Sequence, residues 1–224
     1  VTIVVLPIKP FETEPWLLEK HYARRMCPIS HAFGLYVDGV LRGVVTYGVP
    51  SSSALRSGLC GDRHSQIVLE LNRLCCDNEK NMASTLVGQS LRMLPKPSIV
   101  VSYADVAQGH VGYVYQATNF IYTGLSAKRT DWKIKGMEHL HSSTIVDMSI
   151  GQEHRADYMR ERFGDDFYLQ ERSRKHRYVF FVGSKNQKKT LLASLLYAVE
   201  PYPKGNSSRY DAASNVKTQQ LLFI

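Results

Sequence analysis

The segment Ser102-Tyr-Ala-Asp-Val-Ala-Gln-Gly-His-Val-Gly-Tyr-Val-Tyr-Gln-Ala-Thr-Asn-Phe-Ile-Tyr-Thr-Gly124 constrains this chain most. An apolar run, Ile99 to Tyr103, leads into it as a strand. A polar turn holding Asp105, Gln108 and His110 follows, and Gly109 to Asn119 carries Val111, Val114, Tyr115 and Thr118 along one helical face. Ile121 to Ser126 then reads as another strand. Strand, helix and strand in that order make a crossover unit, which packs right-handed on a sheet. Asp105 sits just past the C-terminal end of its strand, where open α/β sheets place ligands.

What precedes this unit reads as meander and helix. Val1 to Leu6 is short, lacks a basic leader and reaches Pro7 at once, so it reads as an edge strand rather than a signal peptide. Phe11 to Met26 reads as a helix, with Thr13 as N-cap, Pro15 in its first turn and Pro28 as its stop. Ala32 to Val37 and Val40 to Tyr47 flank Asp38-Gly39, the strongest short turn signal in the chain. Gly48 to His64, with Pro50 and the run Ser51 to Ser53, reads as a long binding loop. Gln66 to Cys76 reads as a strand with Glu70, Asn72 and Arg73 interposed among its apolar residues. Asn81 to Leu94 reads as a helix capped by Asn81 and ended by Pro95 and Pro97.

Beyond Ala127 the periodicity weakens. Asp131 to Gly136 mixes Trp132 with Lys133 and Lys135, and Ile150 to Phe163 has the composition of a charged helix. Glu171 to Arg177 is the densest basic run and leads into a strand, Tyr178 to Val182. Gln187 to Val199 reads as a closing helix, and Pro201 to Ile224 as a polar, mobile tail. The chain is thus read as an α/β (α+β) protein, a mixed central sheet flanked by helices. Residues 1–135 form the core, and 136–224 a basic C-terminal extension that completes the fold and contacts nucleic acid.

Charge separates the two parts. Residues 1–124 hold 11 Lys+Arg against 9 Asp+Glu, a balance of +2, and residues 125–224 hold 17 against 11, a balance of +6. That excess points to a polyanion as partner. No apolar run approaches the length of a membrane span. The four cysteines, Cys27, Cys60, Cys75 and Cys76, form no C-x-x-C pair, and no Cys/His set has metal-ligand spacing. They read as reduced thiols of a cytoplasmic protein, with Cys75 and Cys76 on opposite faces of a strand.

The element order resembles the GNAT acyltransferase fold, and Tyr115-Gln-Ala-Thr-Asn-Phe120 before Gly124 has the shape of that family's last helix and strand. One departure is plain. GNAT proteins open their cradle helix with a Gly-rich segment that faces a pyrophosphate, whereas Cys76 to Thr85 here has no glycine and carries Asp77 and Glu79. Narrower pieces resemble the Mom family of phage DNA-modification proteins: His21-Tyr22, Glu70-Leu-Asn-Arg-Leu74, Asn81-Met-Ala-Ser84 and, above all, Ser102 to Phe120. That resemblance covers most of residues 15–135.

It implies a transferase that converts adenine in phage DNA to N6-(carbamoylmethyl)adenine, a mark that blocks host restriction enzymes. It further implies Asp105 and Tyr115 as the central catalytic pair, with His21 and Ser84 lining the same site and Tyr47 as a looser match. Asn81, Ser84 and Thr85, in the first turn of their helix, are the donor-binding candidates. The chemistry suits these types: adenine's exocyclic amine is a weak nucleophile and gains from a base that removes its proton, the role open to Asp105. Tyr115 is placed to protonate a leaving group or steady an oxyanion.

Taken without the resemblance, Asp105 followed by Gly109 is also a helix-capping pattern, and Tyr115 and His21 are ordinary core residues. The donor is read as an activated glycyl group, an aminoacyl-tRNA, with acetyl-CoA as the alternative. Arg129, Trp132, Lys133, Lys135, Arg172, Arg174, Lys175 and Arg177 are the candidate contacts to double-stranded DNA or tRNA, the tryptophan by stacking and the cations on phosphate. Two other functions fit the same fold: an acetyl-CoA-dependent N-acetyltransferase, and a nucleic-acid-binding protein without catalysis.

Overall fold

A computed structural model describes residues 1–140 and 142–205. Expectations that fall on 206–224, including a mobile tail, lie outside the described residues. By contacts the chain forms two units: Val1–Leu125 with the described residues from His176 on, and Ser126–Lys175.

In the first unit a seven-stranded sheet grows outward from the Asp38-Gly39 turn. Both turn residues are left-handed (φ 48° and 81°), the geometry that matches the twist of a two-residue hairpin. β1 (Ile3–Pro7), β2 (His31–Val37), β3 (Val40–Gly48) and β4 (Val68–Cys76) pair antiparallel in chain order. Between β3 and β4 the chain is not a loop as read. α1 (Ser53–Cys60) forms there, capped by Ser52, whose hydroxyl accepts from the Leu55 amide at 3.2 Å. The serines that suggested a loop are the helix start itself. α2 (Met82–Met93) follows β4 and leads to β5 (Ser98–Asp105), the strand parallel to β4.

α3 is shorter than the periodicity predicts, Tyr113–Ala117 rather than 109–119. Gly109 and Gly112 are both left-handed (φ 66° and 79°) and break the helix before it starts. β6 (Ile121–Leu125) then pairs antiparallel with β9 (Lys175–Val182), and the sheet order is β1-β2-β3-β4-β5-β9-β6. This is the mixed, GNAT-like central sheet flanked by helices that the element order predicts. The core lies between the sheet and α2, where Val45, Tyr47, Leu71, Leu86, Val87, Val100 and Phe120 are buried together. Cys76 joins that cluster while Cys75 packs with Trp16, Leu17 and Val44 on the opposite face.

The first predicted helix is the largest departure. Phe11 to Met26 forms a 3-10 turn (Pro10–Thr13) and a single π turn (Trp16–Lys20), and His21 is already extended (ψ 137°). The chain leaves the helix because the His21 ring captures the Ala23 amide, Nδ1 accepting at 3.0 Å, a bond that competes with the helical ladder. Trp16 and Leu17 stay buried and anchor the turn.

The second unit is a ribbon with two helices. β7 (Arg129–Ile134) pairs antiparallel with β8 (Phe167–Arg172), from Arg129 opposite Arg172 to Ile134 opposite Phe167. α4 (Ser142–Asp147) and α5 (Arg155–Phe163) supply Ile145 and Met159, which pack with Ile134 and Phe167 in a small core. α6 (Lys185–Ala193) belongs to the first unit. A Ser184–Gln187 capping box starts it two residues before the predicted position.

Candidate active site

The site begins where β4 and β5 part. Their parallel register runs only from Val68 with Ile99 to Glu70 with Val101. One residue further, the Ser102 hydroxyl donates to the Leu71 carbonyl at 2.9 Å, a side chain standing where a ladder bond would be. The Ser102 hydroxyl also lies near Tyr115, where it opposes the upward push of burial on that phenol. Burial pushes the Tyr115 phenol up to about 12, with the hydroxyls of Tyr22 and Tyr178 and the Glu70 carboxylate adding to the rise. At neutral pH Tyr115 is therefore a proton donor, not a base. Its ring is held by Phe120 and Tyr178, each 5.3 Å away between centroids.

β4 is bulged here: Thr46 faces Arg73 while Tyr47 faces Leu71. The extra residue is Asn72, whose side chain accepts from Thr46 at 2.6 Å and donates to the Pro28 carbonyl at 2.8 Å. Bulges re-aim side chains beside active sites, and this one brings Arg73 to the His21-Tyr22 segment. One Arg73 nitrogen donates to the Asn72 carbonyl at 2.7 Å, while its buried Nε has no hydrogen-bond partner among the described residues. A buried guanidinium nitrogen without an acceptor is costly and suits a site that receives an oxygen from a ligand.

His21 is 5% exposed and stacks on Tyr22 at 4.4 Å. Burial first, and the Arg73 charge second, push its imidazole down to about 4. At neutral pH it is thus neutral, and because Nδ1 accepts from Ala23 its proton sits on Nε2. His21 can donate a hydrogen bond but carries no charge. This shift has a measurable consequence. The unfolded chain takes up a proton near 6.5 and the folded one only near 4, so stability is full above about 6.5 and falls as pH drops toward 4. Replacing His21 by Gln will flatten that limb of a urea-denaturation pH series by up to about 3 kcal/mol.

Asp105 ends β5. One carboxylate oxygen accepts from the Ala107 amide at 2.9 Å, so the residue does cap the 3-10 turn Val106–Gln108. Its charge also reaches Tyr22 and His110, raising the Tyr22 phenol and opposing the downward push of burial on His110. Tyr22 feels Arg73 and Asp105 together. The carboxylate, the guanidinium, two phenols and a neutral imidazole therefore converge at the mouth of the β4–β5 gap. Arg73, Tyr22 and Glu70 were absent from the sequence-derived site. The available signal was a charged pair, Glu70 and Arg73, inside an otherwise apolar strand.

The remaining predicted residues divide. Tyr47 is fully buried, and its hydroxyl meets Ser90 Oγ at 2.6 Å. Ser90 spends its proton on the Val87 carbonyl, so Tyr47 donates, and the bond ties β3 to α2 beneath the site. Asn81, Ser84 and Thr85 line a cleft of about 590 Å³ with Thr118, Asn119, Arg92, Lys96 and Lys188. Ser84 Oγ donates back to the Asn81 carbonyl at 3.0 Å. Asn81 is left-handed and gives α2 no side-chain cap, contrary to its reading as a capping residue. The first-turn amides thereby lack the usual acceptor. Asp77, which reads as opposing an anion there, is paired with Arg42 at 3.3 Å and Lys20 at 3.6 Å.

Among the nucleic-acid candidates, Arg177 is corrected to a structural residue. It is 8% exposed, donates twice to Thr123 (2.9 and 3.0 Å) and stacks 3.4 Å from the Tyr197 ring centroid. Arg174 donates to the Ser126 carbonyl at 2.7 Å, and the Lys175 amide to Ser126 Oγ at 2.9 Å, closing the base of the insert. Trp132 packs edge-on against Phe167 at 5.2 Å, in the small core rather than on a stacking platform. Lys133 donates to the Glu138 carbonyl at 3.3 Å and Lys135 pairs with Asp166 at 3.7 Å, whereas Arg129 and Arg172 are exposed.

The chain thus builds a sheet that opens between two parallel strands, with titratable groups at the opening and a polar cleft between two helices. Solved structures with a similar chain course include an N-acetyltransferase from Staphylococcus aureus Mu50 (TM-score 0.43, 12% identity, covering 81% of this chain and 99% of that one). Another is the ribosomal-protein-S18-alanine N-acetyltransferase from Escherichia coli (TM-score 0.44, 8% identity, 82% and 96%). The model of the Mom protein family matches residues 2–204, and the chain belongs to that family. A curated relative, the methylcarbamoylase mom of Escherichia phage Mu, is 28% identical over 192 residues, spanning 83% of this chain and 77% of that protein. No described helix is long and apolar enough to cross a membrane.

Proposed function

We propose that this protein is a DNA-modification transferase that places a glycyl group on the exocyclic amine of adenine in DNA. The product then rearranges to N6-(carbamoylmethyl)adenine, a mark that shields phage DNA from restriction. One observation carries the reading: where the parallel strands part, the Asp105 carboxylate and the Arg73 guanidinium, whose buried Nε is open, both act on the Tyr22 phenol, and Tyr22 in turn acts on the buried, protonated phenol of Tyr115. Membership of the Mom family supports it, as does the activity named for the phage Mu relative.

In this account Asp105 accepts the proton of the adenine amine as nitrogen attacks the activated carbonyl. The oxygen that becomes negative is held by Arg73 and by the Nε2–H of His21. Tyr115 protonates the departing oxygen. The amide now on adenine carries a free glycyl amine, which attacks C6 through a five-membered ring. The original nitrogen leaves C6 and stays on the carbonyl as a primary amide, so the rearrangement gains and loses no atoms. The target base must leave its stack to reach these groups.

The α2–α3 cleft is the donor's side. Arg92, Lys96 and Lys188, with the uncapped start of α2, suit the phosphodiester of an aminoacyl-tRNA end. The same cations also suit the pyrophosphate of acetyl-CoA, and an N-acetyltransferase is the second reading. Isotope-labelled glycine separates the two. Purified protein, DNA and tRNA charged with labelled glycine will place label in DNA, and acetyl-CoA will not replace the charged tRNA. Acetylated adenine formed with acetyl-CoA alone would refute the glycyl route.

A further inference from the structure

The insert Ser126–Lys175 has no role in the chemistry above, yet its ribbon is asymmetric in a way that implies a partner. Residues directly opposite in an antiparallel pair share a face, and the faces alternate. One face of β7–β8 carries Ile134 with Phe167 and Trp132 with Leu169, and Ile145 and Met159 cover its inner part. The other face carries Arg129 opposite Arg172, Asp131 opposite Gln170 and Lys133 opposite Tyr168. None of these six belongs to the apolar cluster. Arg129, Gln170 and Arg172 are exposed, and neither arginine has a side-chain partner among the described residues.

We infer that this polar face of the inserted ribbon is a duplex-DNA groove contact, an inference that rests on the DNA-modification reading. Dimensions and chemistry agree. Two strands side by side fit the B-form major groove, which is about 12 Å wide. Six residues at a rise of ~3.4 Å span ~20 Å, about six base-pair steps. The Arg129–Arg172 rung supplies two unpaired cations for phosphate or guanine edges. Gln170 has the donor and acceptor pair that adenine presents a match for, and Asp131 accepts only, as a cytosine amine requires. A face with base-edge partners between cations is what a groove reader needs, whereas a phosphate clamp alone needs only the cations. A-form RNA has a major groove too deep and narrow to admit such a ribbon, so duplex RNA is the poorer partner.

Fluorescence-anisotropy titration of the full chain with a labelled DNA duplex of about 20 base pairs, over a salt series, tests this directly. Each phosphate contact contributes about 0.9 to the slope of log K against log salt, so Arg129→Ala with Arg172→Ala will lower that slope by about 1.8. Arg129→Gln with Arg172→Gln, checked by thermal melting to be folded, will do the same. Removing two exposed α6 lysines, Lys185 and Lys189, will leave the slope unchanged. The wild type will bind DNA at least about tenfold more tightly than an RNA duplex of the same sequence, as the groove widths require. An unaltered slope in both arginine variants overturns the inference. So does an RNA duplex that binds equally and loses equally, which would make the face an RNA surface. The assay reads binding alone: ribbon-dependent binding without any adenine mark refutes the transferase reading, and modification with an unaltered slope refutes the ribbon.

Discussion

Replacing Asp105 by Asn will lower modification of DNA by at least about 100-fold, the usual scale of losing a general base, and will leave the fold intact. The substitution separates the two things this side chain does. Asn is as good an N-cap as Asp, and its oxygen can still accept from the Ala107 amide at the same 2.9 Å position. Thermal stability should therefore move by less than about 1 kcal/mol, since cap and shape are kept. The amide cannot take a proton from adenine, so the attacking nitrogen must shed it to water. Asp105→Ala is the informative companion: it removes base and cap together and will cost both activity and about 1 kcal/mol of stability. If Asn retained near-normal turnover while Ala lost it, Asp105 would be a cap and nothing more.

Gly112→Ala will be strongly damaging in the first unit. Gly112 is left-handed at φ 79°, a conformation that costs a residue with a Cβ about 1–2 kcal/mol. A Cβ there would also lie 2.4 Å from the Tyr178 ring. That ring cannot swing away cheaply, because the Tyr178 hydroxyl bonds the Val111 carbonyl and accepts from Gln116 at 3.1 Å. Overpacking of this kind adds about 1–3 kcal/mol, so the sum is about 2–5 kcal/mol, or a fall of roughly 5–20 °C in Tm for a chain of this size. Tyr178 is also a wall of the Tyr115 pocket, so surviving protein will turn over slowly. Differential scanning calorimetry reads the first effect. A variant that melts within about 1 °C of wild type would show that the turn relaxes, contrary to this account.

How much was legible from residues alone follows from the range of each signal. The Asp38-Gly39 hairpin and the strand-helix-strand unit rest on local chemistry, so they could be read and they form. Asp105 could be placed because the end of a sheet strand is a position in a pattern. The first helix could not be read correctly. Its composition is helical to Met26, but a single imidazole bonding its own backbone ends it at Lys20 and turns His21 inward. Arg73 escaped notice because its role depends on a one-residue bulge opposite Thr46, and a bulge is a property of two strands rather than one. Arg177 erred in the other direction. It belongs to a basic run in sequence, but strand alternation sends it into the core beside Thr123 and Tyr197. Charge clusters show how many cations exist, and only pairing shows which of them face solvent.

Modification of adenine at the site of Asp105, Arg73 and Tyr115 is the step on which the proposed function stands. Its most direct test is nucleoside mass spectrometry of DNA from cells expressing the protein, beside cells expressing Asp105→Asn at matched levels. The account predicts an adenine nucleoside heavier by one carbamoylmethyl group in the first sample and its loss in the second. Unmodified adenine in both, from folded protein, would contradict it.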